Sequence, residues 1–118
     1  MELILMLFLH IVDDYYLQGC LASMKQKKWW KEHNPKPLYK HDYLVALLMH
    51  SFSWSFMIML PTMLNNCFIW WLFLINIIIH FITDHLKANL GKINLIIDQS
   101  IHMIQVILTW LLCFVILK

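Results

Sequence analysis

Glycine and proline are scarce in this 118-residue chain, at two and three residues, which is too few for the turns of an all-β fold. Charge is scarce as well. Only 14% of the residues are charged, where a soluble domain carries about a quarter. There is no glycine-rich loop to cradle a phosphate and no basic helix suited to nucleic acid, so a nucleic-acid partner is not expected. The cysteines Cys20, Cys67 and Cys113 are odd in number and have no paired spacing. That argues against a thiolate metal site and favours buried small hydrophobes over disulfides. The start of the chain lacks the basic n-region of a signal peptide: it carries Glu2, and Asp13-Asp14 interrupts the place of a cleavage site. It reads as a retained span.

What the chain has in quantity is apolar surface, with 61% hydrophobic residues and a mean hydropathy of +0.65. Four apolar segments, at about residues 3–22, 43–63, 68–86 and 93–117, each approach the ~20 residues that cross a bilayer. They predict an all-α, polytopic membrane protein, a bundle of about four transmembrane helices forming one domain over residues 1–118. The polar stretch 23–42 holds Lys25, Lys27, Lys28, Lys31, Lys36 and Lys40, and Pro35 and Pro37 exclude one continuous helix there. Trp29 and Trp30 beside the lysines fit either a short helix on the headgroups or a solvated basic loop. The connection Pro61 to Asn66 is uncharged, whereas Lys87 to Lys92 is short and basic, with Gly91 as a helix stop. Four spans put both lysine-rich loops on one side of the cell (inner) membrane. The positive-inside rule makes that side cytoplasmic and leaves both termini outside; only Lys118 points the other way.

Three times a histidine and an aspartate sit four residues apart within apolar sequence: His10/Asp14, His80/Asp84 and Asp98/His102. On an α-helix that spacing puts both side chains on one face, a turn apart. With His50, which lies about 15 Å along a helix from Lys40, these residues all fall in the cytoplasmic half of the bilayer. Ionisable groups at that depth are costly and mark an interior or functional site. Imidazole and carboxylate suit a divalent metal, Zn first and then Mn, Fe or Ni, and the ligands His10, Asp14, His50, His80, Asp84, Asp98 and His102 are enough for one or two ions.

Around them, Gln18 and Gln99 can orient ligands. Lys87 fits an anionic headgroup or phosphate, or equally a snorkelling anchor. Asp13 lies about 100° around the helix from Asp14 and faces another neighbour. His85 reads as interfacial, His33 and His41 as solvated, and Gln105 is too deep to assign. The alternative to a metal site is a structural cluster. Membrane hydrogen bonds of that kind average only about 0.6 kcal/mol, a small gain for burying so many ionisable groups. A proton relay would extend across the membrane, and the outer half looks apolar.

The motifs HIVDDYYLQ (His10 to Gln18), LLMH (Leu47 to His50), HFITDHLK (His80 to Lys87) and DQSIH (Asp98 to His102) occur in this order along nearly the whole chain. In this pattern the chain resembles a domain-of-unknown-function family of small integral membrane proteins from bacteria and their phages. It departs from that pattern in the long lysine-rich first loop and in Tyr16, where a proline is expected. The resemblance implies a four-helix membrane protein without a settled activity. In its histidine–aspartate style and size the chain is also similar to membrane-bound metal-dependent hydrolases. The arginine-free composition, rich in isoleucine, asparagine and lysine, suits an AT-rich genome such as a phage's.

The expectation is therefore a metal-dependent hydrolase of a lipid or other amphiphilic phosphoester. Asp14 would serve as ligand, His50 as ligand or general base, and a metal-activated water as nucleophile. The competing expectations are a membrane adaptor or lysis-related protein acting through a homo-oligomer or a host membrane partner, and an ion or proton carrier.

Overall fold

The computed structural model describes residues 1–117, so Lys118 lies outside the described residues. Helix α1 (Glu2–Ile11) runs on into a π-helical turn, Val12–Leu17. Gly19 then takes φ +52, a conformation that residues with a Cβ rarely adopt, and the chain leaves the helix. This first helical segment therefore ends at Leu17 rather than near residue 22. At 1.5 Å per residue it is roughly 24 Å long, short of the ~30 Å hydrocarbon core of a bilayer.

The lysine-rich loop contains α2 (Leu21–Met24), α3 (Lys27–His33) and a 3₁₀ turn at Pro37–Tyr39. The tryptophan pair lies on a short helix within this loop. Trp30 donates its indole N–H to the Met24 carbonyl at 2.6 Å and stacks on Tyr39, while Trp29 stacks on His33. The loop is also fastened to the rest of the protein through Asn89. That side chain accepts the Lys27 backbone N–H at 2.6 Å and donates to the Lys25 carbonyl at 3.0 Å.

Three long helices follow: α4 (Asp42–Leu64), α5 (Trp70–Ala88) and α6 (Leu95–Trp110), the last extended by a second π-helical turn, Leu111–Ile116. The stretches Pro37–Leu64, Trp70–Ala88 and Leu95–Ile116 are long and apolar enough to cross a membrane. Gly91, at φ +61, turns the chain between α5 and α6. Asn94 caps α6, its Oδ1 accepting the Ile97 N–H at 2.9 Å. That cap fixes Asp98 and Gln99 at the start of the helix.

Helix α1 packs against α4 and α6, and α5 packs against the same two. All four segments thus share one interior, and its two ends differ. Away from the basic loops it is apolar, built from Met6, Trp54, Ile58, Met59, Leu72, Phe73, Val106 and Cys113. Toward the loops it is ionisable, with His10, Asp13, Asp14, His50, His80, Asp84, Asp98 and His102 all buried. Large apolar side chains instead cover the outside, among them Phe8, Leu48, Phe52, Ile78, Ile82, Ile104 and Leu108. A polar interior under an apolar exterior inverts the usual arrangement in water.

Candidate metal centre

Each of the four packed segments contributes to the polar end of the interior. The π-helical turn after α1 carries two adjacent acids in different directions, and such turns recur at functional sites. Asp13 turns toward α4, where it accepts the Ser53 hydroxyl at 2.7 Å. Asp14 points into the shared interior, where His50 Nε2 of α4 lies 3.3 Å from its Oδ1.

Asp84 of α5 is the hub. Its Oδ2 lies 3.3 Å from His50 Nε2 and 3.5 Å from His80 Nε2, while its Oδ1 lies 3.2 Å from His102 Nε2. His102 Nε2 is also 3.2 Å from Asp98 Oδ1, the i,i+4 partner on α6.

Two sets of side chains have converging donor atoms, Asp14–His50–His80–Asp84 and Asp14–Asp98–His102; within each set one ligand atom per residue lies within 4.8 Å of every other. Asp14 is common to both. Two histidines and two carboxylates form a donor set suited to Zn, Mn or Fe, and a shared carboxylate is a natural bridge between two ions. The hydrogen bonding fits this chemistry. His50 and His80 are fully buried, yet no nitrogen of either ring has a hydrogen-bond partner, and Asp98 Oδ1 has none either. Their approaches to the carboxylates are close enough for ion pairs but lack hydrogen-bond geometry. Leaving such groups unsatisfied costs about 1–3 kcal/mol each, a cost that a cation between them would remove for Asp98 Oδ1 and for one nitrogen of each ring.

A second layer orients these ligands. Gln99 accepts from His10 Nε2 at 3.0 Å and donates to Asp14 Oδ2 at 2.8 Å and Asp98 Oδ2 at 3.0 Å. It thereby joins α1 to α6 and holds one carboxylate from each. His10 also accepts the Trp54 indole N–H on Nδ1 at 2.8 Å. Both of its nitrogens are thus engaged, and the structure places His10 beside the two ligand sets rather than within either.

Trp54 forms the floor. It stacks on His80 with centroids 4.3 Å apart, and His80 stacks in turn on His102 at 4.1 Å. Below the floor, Gln105 Oε1 meets His102 Nδ1 at 3.1 Å, and the Gln105 amide donates to Asn76 at 3.2 Å. With Nδ1 engaged by that carbonyl, His102 Nε2 is the nitrogen directed at Asp84 and Asp98, hydrogen-bonded to Asp84 Oδ1 at 3.2 Å, and it would be the ligand atom were an ion held there.

The remaining expected residues lie at the rim. Gln18 donates back to the Asp14 carbonyl, at 2.5 Å. Lys87 Nζ is 3.5 Å from Asp98 Oδ2. His85 stacks on Tyr43 and lies outside the cluster.

Sequence reasoning left Gln105 unassigned and missed two participants. Trp54 was legible in principle, being one turn beyond His50, as Gln105 is one turn beyond His102. Lys25 was not. It sits at the end of α2, far from Asp84 in sequence, yet its ammonium lies 2.9 Å from Asp84 Oδ2 with the side chain mostly buried. A pocket of about 370 Å³ opens here, lined by Gln18, Ala22, Lys25, Gln26, Asp84, Lys87 and Ala88.

No curated protein and no solved structure matches this chain. One family model does, over residues 3–118, nearly the full length and every residue of the cluster. The chain belongs to the family described as protein of unknown function DUF3307.

Proposed function

We propose that this protein is a membrane-embedded, metal-dependent hydrolase acting on a lipid or other amphiphilic phosphoester from the cytoplasmic leaflet. Membrane embedding rests on the apolar exterior, the three spanning-length helices and the buried ionisable cluster. On this reading the first segment enters as the fourth member of the bundle. It is shorter than the bilayer core, and its acidic end lies where the cytoplasmic interface begins. The lysines of the α2–α3 loop and Lys87 and Lys92 share the end of the molecule that carries the cluster, so the positive-inside rule turns the site toward the cytoplasm and both termini away from it.

The observation that carries the metal reading is the unpartnered state of His50 and His80 between Asp14 and Asp84. A cluster serving only to tie helices together would spend these ring nitrogens on hydrogen bonds, as His10 does, whereas an ion would take one nitrogen of each ring. Asp14, His50, His80 and Asp84 would hold one ion, and Asp14, Asp98 and His102 would hold a second. A divalent ion here supplies a Lewis acid and brings the ionisation of water into the neutral range. The chain's own contribution is to fix the carboxylates through Gln99, engage His102 Nδ1 through Gln105, and close the lower side with Trp54.

The test is elemental analysis of protein purified in mild detergent without chelator, beside His80→Ala and Asp98→Ala. One or two equivalents of Zn, Mn, Fe or Ni, reduced in both variants, is the expected result and opens a screen of lipid phosphoesters. Metal-free protein whose variants are equally stable would overturn the reading in favour of a non-enzymatic membrane adaptor.

A further inference from the structure

The pocket above Asp84 has a charge pattern that the ligand sets do not explain. Two ammonium groups flank it, and each rests on a carboxylate of the cluster: Lys25 on Asp84 at 2.9 Å and Lys87 on Asp98 at 3.5 Å. Both acids belong to candidate ion sites. Lys25 therefore occupies the very oxygen, Asp84 Oδ2, that His50 and His80 approach. A lysine and a divalent ion on one carboxylate oxygen repel each other, so an ion that takes Asp84 releases the ammonium.

The released side chain stays local. The Lys25 carbonyl is bound by Asn89 at 3.0 Å and the Lys27 N–H by the same residue at 2.6 Å, which anchors the backbone on either side of Gln26 to the end of α5. The position open to the freed ammonium is the pocket itself, which Lys87 also lines and to which Gln18 and Gln26 add amides. Two ammonium groups and amide donors beside a metal-binding carboxylate form a site for a compact anion with several acceptor oxygens. The larger concavities on the helix flanks offer nothing comparable: the groove between α4 and α5 is lined by Leu44, Val45, Leu48, Ile77, Ile78, Phe81 and Ile82.

We propose that this pocket is the phosphate-binding subsite of the protein, with Lys25 and Lys87 as its cationic donors. Lys25 exchanges Asp84 for the phosphate when a divalent ion loads. The proposal rests on the metal reading above and adds to it the chemistry of the ligand, a phosphate group adjacent to the ion. The pocket suits a headgroup, and the apolar flanks of the helices leave any acyl chains in the bilayer.

The test measures binding of dioctanoyl phosphatidic acid and of inorganic phosphate, with dioctanoylglycerol as the uncharged control, to the full chain in mild detergent. Wild type is compared with Lys25→Met, Lys87→Met and Lys25→Arg, and metal content is determined on every sample. The expected result is a dissociation constant for the phosphate ligands raised at least tenfold in both methionine variants. Lys25→Arg should keep binding within about threefold, and the diacylglycerol should bind no variant differently. Tighter binding of phosphatidic acid than of inorganic phosphate identifies the lipid as the source of the phosphate; equal binding identifies a soluble one. Lys25→Met that retains its metal and binds both phosphate ligands like wild type overturns the proposal. Metal-free wild type whose phosphate binding still depends on the two lysines would leave the subsite standing and remove the metal reading. The arginine variant separates charge from folding: a loss in Lys25→Met that Lys25→Arg fails to restore also counts against the proposal.

Discussion

Asp14 is the one side chain shared by both ligand sets, which makes Asp14→Asn the most discriminating perturbation of the site. The substitution keeps the size of the side chain and removes its charge. Around it remain His50 Nε2 at 3.3 Å, the Gln99 amide at 2.8 Å and, on the proposed metal reading, the cations. Removing one partner of a buried charged pair costs about 3–5 kcal/mol. At 1.4 kcal/mol per decade this weakens each ion's binding by roughly a hundredfold to several thousandfold.

His80→Gln touches only the first set and His102→Gln only the second, so each should lose one equivalent where Asp14→Asn loses both. Elemental analysis after desalting, with calorimetric titration of the stripped protein in detergent, measures stoichiometry and affinity together. Full metal content in Asp14→Asn would refute the bridging role. Loss of only one equivalent would refute the sharing of Asp14 between two ions.

Two further outcomes follow from the second layer. Gln99→Met removes three hydrogen bonds that hold His10, Asp14 and Asp98; it should lower metal affinity about 10- to 100-fold while the protein stays folded, and calorimetric titration at wild-type affinity would contradict that assignment. Trp54→Phe deletes the indole N–H that meets buried His10 Nδ1; it should destabilise the metal-free protein by about 1–3 kcal/mol, and an unshifted thermal transition in detergent would show that the bond contributes nothing.

Helix boundaries were largely legible because hydropathy reports burial and lipid contact alike. The expected segments 43–63, 68–86 and 93–117 match α4, α5 and α6 with its π-helical extension to within a few residues. The first segment was read too long because apolar Leu21 and Ala22 continue past Gly19, and hydropathy does not register the left-handed backbone that ends the helix there. The i,i+4 spacing brought Asp14, Asp84, Asp98 and their histidines to one place, since helical periodicity survives folding. It could not separate the ligands from their supports. His10 and His80 look alike in sequence, and only the tertiary neighbours Trp54 and Gln99 engage both nitrogens of one ring while the other ring keeps none. Lys25 was invisible for a different reason: its approach to Asp84 depends on how the α2–α3 loop folds back onto α5 through Asn89, and no local period encodes that.

The short first helix has a consequence for how the molecule is made. It bears two adjacent acids and does not reach the length of a bilayer core, so on the proposed membrane reading it is a poor membrane entrant by itself. The groups that meet its acids lie later in the chain: Ser53 and His50 on α4, and Gln99 on α6. The contacts of α1 and its π-helical turn with Gln99 can therefore form only once α6 is present. A chain cut short before α6 would leave Asp14 without its Gln99 partner and one of the two candidate ligand sets without Asp98 and His102.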